Sequence, residues 1–168
     1  TNQQAYEQAI QVLPVRLRQE ALLLSPEERG AAEELRLRCG QPMTAVFPQG
    51  ERSLGSGPVT GRELEQLLEL ASRASVHTVL PQLRQGYLTI EGGHRVGLCG
   101  TAVLRDGEIT NLRDLSSAAV RVARQGLGAA EPVWDRLTGP GGRLESTLIL
   151  APPGAGKTTL LRDLIRMA

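Results

Sequence analysis

The sequence predicts an α/β protein in two parts: a small α+β domain over residues 1–125, and the first strand, glycine-rich loop and helix of a second, truncated α/β domain over 146–168. Three observations support this. Leucines at helical spacing follow a helix-start signal at Thr60, short alternating segments with tight turns fill residues 87–123, and an apolar run precedes a glycine-rich loop near the end of the chain. Residues 126–145 are predicted to be the linker between the two parts.

The helices of the first part have clear start signals. Residues 6–24 are predicted to be helical with a break at Pro14. Residues 25–28, Ser-Pro-Glu-Glu, combine a capping serine, proline at the first helical position and a glutamate that can reach back. Residues 60–63 form a second capping box before leucines at helical spacing, and residues 78–85 are predicted to form another helix.

The strands of the first part are predicted from alternating residues between turn signals. A hairpin is expected first, followed by three antiparallel strands joined at Gly92-Gly93 and Asp106-Gly107, and then by a fourth strand. The predicted strands are 34–39, 43–47, 87–91, 94–104, 108–112 and 117–123. Helices on one face of such a sheet would form an α+β domain. Within the predicted linker, a short helix is expected at 131–137.

Composition limits the function classes. The net charge of +1 offers no strong field for nucleic acid or an anionic membrane, and four aromatic residues supply a poor stacking platform for single strands. Cys39 and Cys99 are isolated, so we expect two ordinary buried thiols in a reducing, cytoplasmic setting. No long apolar run predicts a membrane span, and because the chain begins at Thr1 we expect it to be excised from a longer protein.

The segment 146–163 is typical of a loop that holds a nucleoside triphosphate. The apolar residues 148–150 predict a central parallel strand, small residues let the backbone wrap around a phosphate, and a helix then starts with its positive end toward the loop. Lys157 is expected to neutralise the β- and γ-phosphates and Thr158 to hold Mg²⁺. The predicted nucleotide-binding residues are Pro153, Gly154, Ala155, Gly156, Lys157, Thr158 and Thr159.

Two details bear on this loop. Lys157 is the only lysine among 19 basic residues, and a compact, flexible ammonium suits a phosphate clamp. The pattern G-x-x-x-x-G-K-[ST] has glycine first, whereas this chain has Ala151, the smallest replacement. The alternative is a Gly-Pro turn that happens to precede a helix.

Several segments together resemble one known family. They are Arg36–Pro42, Gln85–Gly100, Asn111–Ser117, Val120–Arg124 and the glycine-rich loop. In combination they resemble the N-terminal half of the stage III sporulation protein AA family, which is similar to the hexameric ATPases of type II and type IV secretion and pilus machines. The resemblance covers nearly the whole chain.

The resemblance implies a cytoplasmic motor, associated with the membrane through partners, that has a RecA-like ATPase core and powers a sporulation or secretion channel complex. It implies ATP and Mg²⁺ as ligands, a hexameric ring in the full-length protein, and arginines of the N-terminal domain near the nucleotide. Arg113, Arg121 and Arg124 are the candidates, and ion pairing on a sheet face, such as Arg113 with Asp114, is the alternative. We expect this chain alone to be inactive, because later catalytic parts of such a core lie outside it.

Two other functions remain open: a P-loop protein that binds nucleic acid, and a domain that serves only protein interaction. Low aromatic content and near-neutral charge favour the ATPase. His94 and His77 share no metal spacing with other ligands, so both are predicted to be structural.

Overall fold

The structure is a computed structural model that describes residues 1–75, 77–124, 126, 128–139 and 141–168. The predicted domain boundary at Gln125 and Pro140 of the predicted linker therefore lie outside the described residues. The chain forms two compact units, Thr1–Ala123 (unit 1) and Arg124–Ala168 (unit 2), which are described one at a time.

Among its described residues, unit 1 contains five α-helices and two short 3₁₀ helices, at Ile10–Val12 and Glu91–Gly93. The α-helices are α1 (Asn2–Ala9), α2 (Val15–Ala21), α3 (Pro26–Ala31), α4 (Gly61–Arg73) and α5 (Val79–Leu83). Pro14 is the N-cap of α2, which confirms the predicted break. Ser25 and Thr60 each form a complete capping box, so the predicted starts of α3 and α4 are also confirmed.

The strands of unit 1 form one six-stranded antiparallel sheet, so the mixed α/β class is confirmed. They are β1 (Glu34–Arg38), β2 (Pro42–Phe47), β3 (Gly50–Pro58), β4 (Tyr87–Thr89), β5 (Arg95–Arg105) and β6 (Glu108–Arg121). Their order across the sheet is β3-β2-β1-β6-β5-β4. A 3₁₀ turn at Glu91–Gly93 joins β4 to β5.

The core of unit 1 lies between one face of the sheet and the helices. Leu35 and Leu37 of β1 and Val120 of β6 are fully buried on this face, and Leu64 and Leu67 of α4 are fully buried opposite them. Alternation along each strand produces this face, since successive side chains point to opposite sides. The hydrophobic effect at these positions holds α4 against the sheet.

The other face of the sheet carries polar, charged and small residues. Arg36 Nε donates to Glu34 at 2.6 Å, and Arg36 Nη1 donates to Glu51 at 2.7 Å. Cys99 is exposed at the end of this face and Cys39 is exposed beside the turn after β1. The prediction of buried thiols is therefore wrong: both cysteines are exposed, Cys99 on the face of the sheet away from the core and Cys39 beside a turn, and both are free.

Two strand predictions need correction. β3 was not predicted, because its sequence is polar and rich in glycine and only Leu54 of the strand is buried. The two strands predicted at 108–112 and 117–123 are one continuous strand, β6, with a bulge between the pairs Cys99–Ser117 and Thr101–Arg113.

Unit 2 contains α6 (Glu131–Leu137) and α7 (Lys157–Met167), and the bounds of α6 match the prediction. The strand predicted at 148–150 is absent: these residues have no regular secondary structure, and Leu148 and Leu150 are 81% and 83% exposed. The described part of unit 2 contains no strand with which they could pair. Within the described residues, no helix combines the length and apolar character needed to cross a bilayer.

Candidate functional site

The glycine-rich loop of unit 2 leads directly into α7. Gly154 and Gly156 have φ values of 77° and 84°, a left-handed backbone that glycine adopts at little cost. The N–H of Ala155 donates to the carbonyl of Pro152 at 3.3 Å, and Gly156 is the N-cap of α7 without any side-chain cap. The first N–H groups of α7 therefore have no intrahelical acceptor and no capping side chain.

Lys157 is the first residue of α7, and its ammonium lies back over the loop. Nζ donates to the carbonyl of Ala151 at 2.7 Å and to that of Pro152 at 2.8 Å. The positive charge is thus held at the base of the loop by two neutral acceptors. An anion in the loop would replace neutral partners of the ammonium by a charged one, which forms stronger hydrogen bonds.

The surroundings of the loop fit a phosphate group. A Cβ built on Gly154 or Gly156 meets nothing within 4 Å, so the space beside both glycines is open. Residues 151–156 are all exposed, and the hydroxyl-bearing residues Thr158 and Thr159 are exposed on the first turn of α7. The predicted site residues, 153–159, thus lie consecutively on the loop and the first turn of α7, and all of them except the half-buried Lys157 are exposed.

Sequence analysis missed Asp163, which is 3% exposed on the next turn of α7. Its Oδ2 accepts the N–H of Ala130 at 2.9 Å, and its Oδ1 accepts Nε of Arg166 at 2.7 Å. Arg166, and then the N–H groups of Ala130 and Gly128, hold the pKa of Asp163 below its ordinary value. In the sequence, the signal for a buried carboxylate was an acidic residue directly beside Leu164, which belongs to the apolar stripe of the helix.

The apolar stripe predicted for α7 is only partly buried. Leu164 is 5% exposed, whereas Leu161 and Ile165 are 47% and 74% exposed. The strand predicted at 148–150 does not form. Leu161 and Ile165 therefore lack the strand against which they were predicted to pack.

His94 of unit 1 is structural, as predicted. It is 1% exposed, and its Nδ1 accepts the N–H of Ala123 at 2.9 Å. Burial lowers the pKa of His94, because a charged imidazolium would lose its hydration. His77 is exposed, and no three potential ligand side chains among the described residues are grouped so that they could hold a metal ion.

The candidate arginines of unit 1 form ion pairs with acidic neighbours. Arg113 Nε lies 3.5 Å from the carboxylate of Asp114, and Arg121 Nε lies 3.6 Å from that of Glu34. Arg113 and Arg121 have side chains 69% and 72% exposed, so these pairs leave most of each guanidinium open to solvent. Their role toward a nucleotide, and that of Arg124, stays a prediction.

Sequence comparison supplies relatives for nearly the whole chain. The chain is 39% identical over 159 residues to stage III sporulation protein AA of Bacillus subtilis (strain 168), a match that covers 94% of this chain and 50% of the relative. It is 28% identical over 158 residues to the protein SEEDLING PLASTID DEVELOPMENT 1 of Arabidopsis thaliana, covering 94% of this chain and 20% of that protein. The chain therefore spans about half of the first relative and a fifth of the second.

Among solved structures, the ATPases DotB of Legionella pneumophila and Yersinia pseudotuberculosis are similar to the chain. The first has a TM-score of 0.40 and 18% identity, covering 81% of this chain and 37% of that protein. The second has a TM-score of 0.44 and 15% identity, covering 91% and 42% respectively. The family model described as "Sporulation stage III, protein AA" matches residues 3–168. This match and the identity to the Bacillus subtilis protein show that the chain belongs to the stage III sporulation protein AA family.

Proposed function

We propose that this chain supplies the nucleotide-binding loop and the N-terminal domain of an ATP-hydrolysing motor subunit. The observation that carries the proposal is the position of the Lys157 ammonium, which lies over Ala151 and Pro152 at the base of a loop with two left-handed glycines. A loop of this kind, followed by an uncapped helix start, is suited to the phosphates of ATP.

Each site residue has a role that its position allows. The N–H groups of residues 154–159 would bind phosphate oxygens, and Lys157 would leave the two loop carbonyls to neutralise the β- and γ-phosphates. Thr158 would hold Mg²⁺ through its exposed hydroxyl. A bound Mg²⁺ would supply compensation for the charge of the phosphates.

Family membership supports a proposal for the wider role. We infer a homo-oligomeric ring, a hexamer, that acts in the cytoplasm and associates with a membrane-embedded sporulation or secretion complex through partner proteins. Hydrolysis would require the intact protein, since the chain spans half the length of its Bacillus subtilis relative. The 168-residue chain alone is expected to be inactive. Arg113, Arg121 and Arg124 are candidates for a role toward the nucleotide, and ion pairing on a sheet face, as in Arg113 with Asp114 and Arg121 with Glu34, is the alternative.

The test is calorimetric titration of the intact protein with Mg-ATP. Lys157→Ala should weaken binding by about a hundredfold, because a charge-assisted phosphate contact of about 3 kcal/mol is lost. Arg162→Ala is the matched control: it removes an exposed positive charge from the same helix and leaves the loop unchanged. Equal affinity in wild type and Lys157→Ala would contradict the proposal.

The two alternative functions have their own readouts. Titration with single-stranded DNA or RNA at two salt concentrations would reveal nucleic-acid binding through a steep salt dependence, which we do not expect at a net charge of +1. Tight binding to a protein partner without any affinity for Mg-ATP would favour a domain that serves interaction alone.

A further inference from the structure

Residues 126 and 128–130, called segment 126–130 below, are attached to the helix that follows the glycine-rich loop, and residue 127 lies outside the described residues. Ala130 is fully buried, and its N–H donates to Oδ2 of Asp163 on α7 at 2.9 Å. The N–H of Gly128 also interacts with this carboxylate. Two backbone hydrogen bonds lie within or beside this segment: Ala129 N–H donates to the Gly126 carbonyl, and Glu131 N–H donates to the Gly128 carbonyl.

Asp163 is built to hold this segment as an anion. A carboxylate that is 3% exposed loses most of its hydration, and such burial is costly unless hydrogen-bond donors replace the water. Here the donors come from two sides: Arg166 on the same helix, and the backbone N–H groups of Ala130 and Gly128. Without the segment, the buried carboxylate would lose its backbone donors.

A second contact lies one helical turn closer to the loop. A Cβ built on Gly126 would overlap Cγ2 of Thr159, so the backbone of Gly126 lies directly against this methyl group. Thr159 and Asp163 are four residues apart and therefore lie on the same face of α7. The segment thus follows this face from the first turn of the helix to the second.

The first turn of α7 belongs to the proposed phosphate site, since it begins with Lys157 and Thr158. We propose that Asp163 is a positioning residue that ties segment 126–130 to α7, so that ATP binding at the loop and the order of this segment are coupled. The inference rests on the proposed function. A ligand that orders the first turn of α7 also stabilises segment 126–130, which contacts that turn. Because coupling between two sites is reciprocal, order in the segment also favours binding of the ligand.

The coupling matters because of where the segment lies in the sequence. It begins three residues after Ala123, where unit 1 ends, and it leads into α6. A change in its order on nucleotide binding would therefore act on the part of unit 2 that lies next to unit 1 in the sequence.

The experiment measures backbone hydrogen exchange of residues 126–130 in the intact protein, with and without saturating Mg-ATP. In wild type, ATP should slow exchange at Gly128 and Ala130 by about tenfold. Asp163→Ala should speed their exchange without nucleotide by about tenfold or more, because the Ala130 N–H loses its hydrogen bond to a charged group and the Gly128 N–H loses the same neighbouring carboxylate. It should also abolish the ATP effect on the segment and weaken Mg-ATP binding by about tenfold.

Three variants separate positioning from a purely structural role. Asp163→Asn keeps one side-chain oxygen for Ala130 and should restore part of the ATP effect, even if Asp163→Ala folds poorly. Asp135→Asn, at an exposed position of α6, is the control for loss of a negative charge and should behave as wild type. Gly126→Ala should displace the segment from Thr159 and reduce the ATP effect while Asp163 stays intact.

The outcomes are distinguishable. If wild type binds Mg-ATP but exchange at 126–130 does not change, or if Asp163→Ala retains the full ATP effect, the coupling is overturned and the proposed function stands. If wild type does not bind Mg-ATP at all, the proposed function fails and the coupling fails with it.

Discussion

The backbone N–H of Ala123 donates to Nδ1 of His94 at 2.9 Å. This hydrogen bond joins the residue after the turn Glu91–Gly93 to the last residue of unit 1. Since Nδ1 accepts, the neutral imidazole carries its proton on Nε2, which is buried without a hydrogen-bond partner. The ring therefore fixes the end of unit 1 only while it is neutral.

His94 should make unit 1 less stable in mild acid. Burial lowers its pKa in the folded state, whereas the unfolded chain binds a proton at about pH 6.5. Protons therefore favour the unfolded state: the stability is fully present above about pH 6.5 and is lost as the pH falls toward the folded-state pKa. Urea unfolding followed by circular dichroism between about pH 5 and 7.5 should show this slope.

The variant His94→Asn should lose this pH dependence between about pH 5 and 6.5 and should lower the unfolding free energy at neutral pH by about 1–3 kcal/mol. His77→Asn, at an exposed position of the same unit, is the matched control and should change neither quantity. An identical pH slope in His94→Asn and wild type would contradict the role of the buried ring.

Gly100 should be required at the bulge in the β5–β6 hairpin. A Cβ built there lies 2.8 Å from the carbonyl oxygen of Arg113 and 3.1 Å from Cα of Leu115, so the partner backbone would have to move. We expect Gly100→Ala to lower the unfolding free energy by about 1–3 kcal/mol. In the same strand, Gly97→Ala meets only the Ala119 carbonyl at 3.8 Å and should be neutral or slightly stabilising. Equal effects of the two substitutions would contradict this reading.

Glu51 should remain ionised far into acid. The Thr44 hydroxyl and then Arg38 hold its pKa at about 2, with a further contribution from Arg36. Because the folded-state pKa is depressed, the stabilisation is present above the unfolded value of about 4.3 and is lost as the pH falls toward 2. Carboxyl NMR titration should show the low pKa, and Thr44→Val should raise it. An unchanged Glu51 pKa in Thr44→Val would show that the hydroxyl is not the main cause.

Local signals predicted much of the fold. The capping boxes at Ser25 and Thr60 specify helix starts through contacts within four residues, and both formed as expected. The turn at Asp106-Gly107 is also specified by neighbouring residues alone. Both residues have the positive φ that such a hairpin turn requires.

The misses depend on distant partners. β3 is a strand because β2 pairs with it, although its own sequence has little apolar pattern. The run at 148–150 is apolar but forms no strand, since a strand needs a neighbour. The predicted loop residues were consecutive and therefore came together, whereas the contact of Asp163 with Ala130 joins positions 33 residues apart, and no short pattern predicts it.

Affinity for Mg-ATP should depend on parts of the protein beyond the loop. Residues 151–156 are all exposed, and Leu148 and Leu150 beside them are more than 80% exposed. An anion in the loop would therefore contact the protein on one side and solvent on the other. Phosphate binding depends mainly on local backbone N–H groups, and the loop can supply these by itself. A buried pocket for the adenine ring and a second wall around the phosphates would add affinity.

We therefore expect the 168-residue chain to bind Mg-ATP with a Kd of roughly 1 mM, which corresponds to about −4 kcal/mol. The intact protein should bind far more tightly, and Lys157→Ala, which we expect to weaken its binding about a hundredfold, should remove most of that difference. Calorimetric titration of the chain and of the intact protein under the same conditions measures both values. Micromolar binding by the 168-residue chain would show that its own residues, with Arg113, Arg121 and Arg124 as the first to test by alanine substitution, complete the nucleotide site.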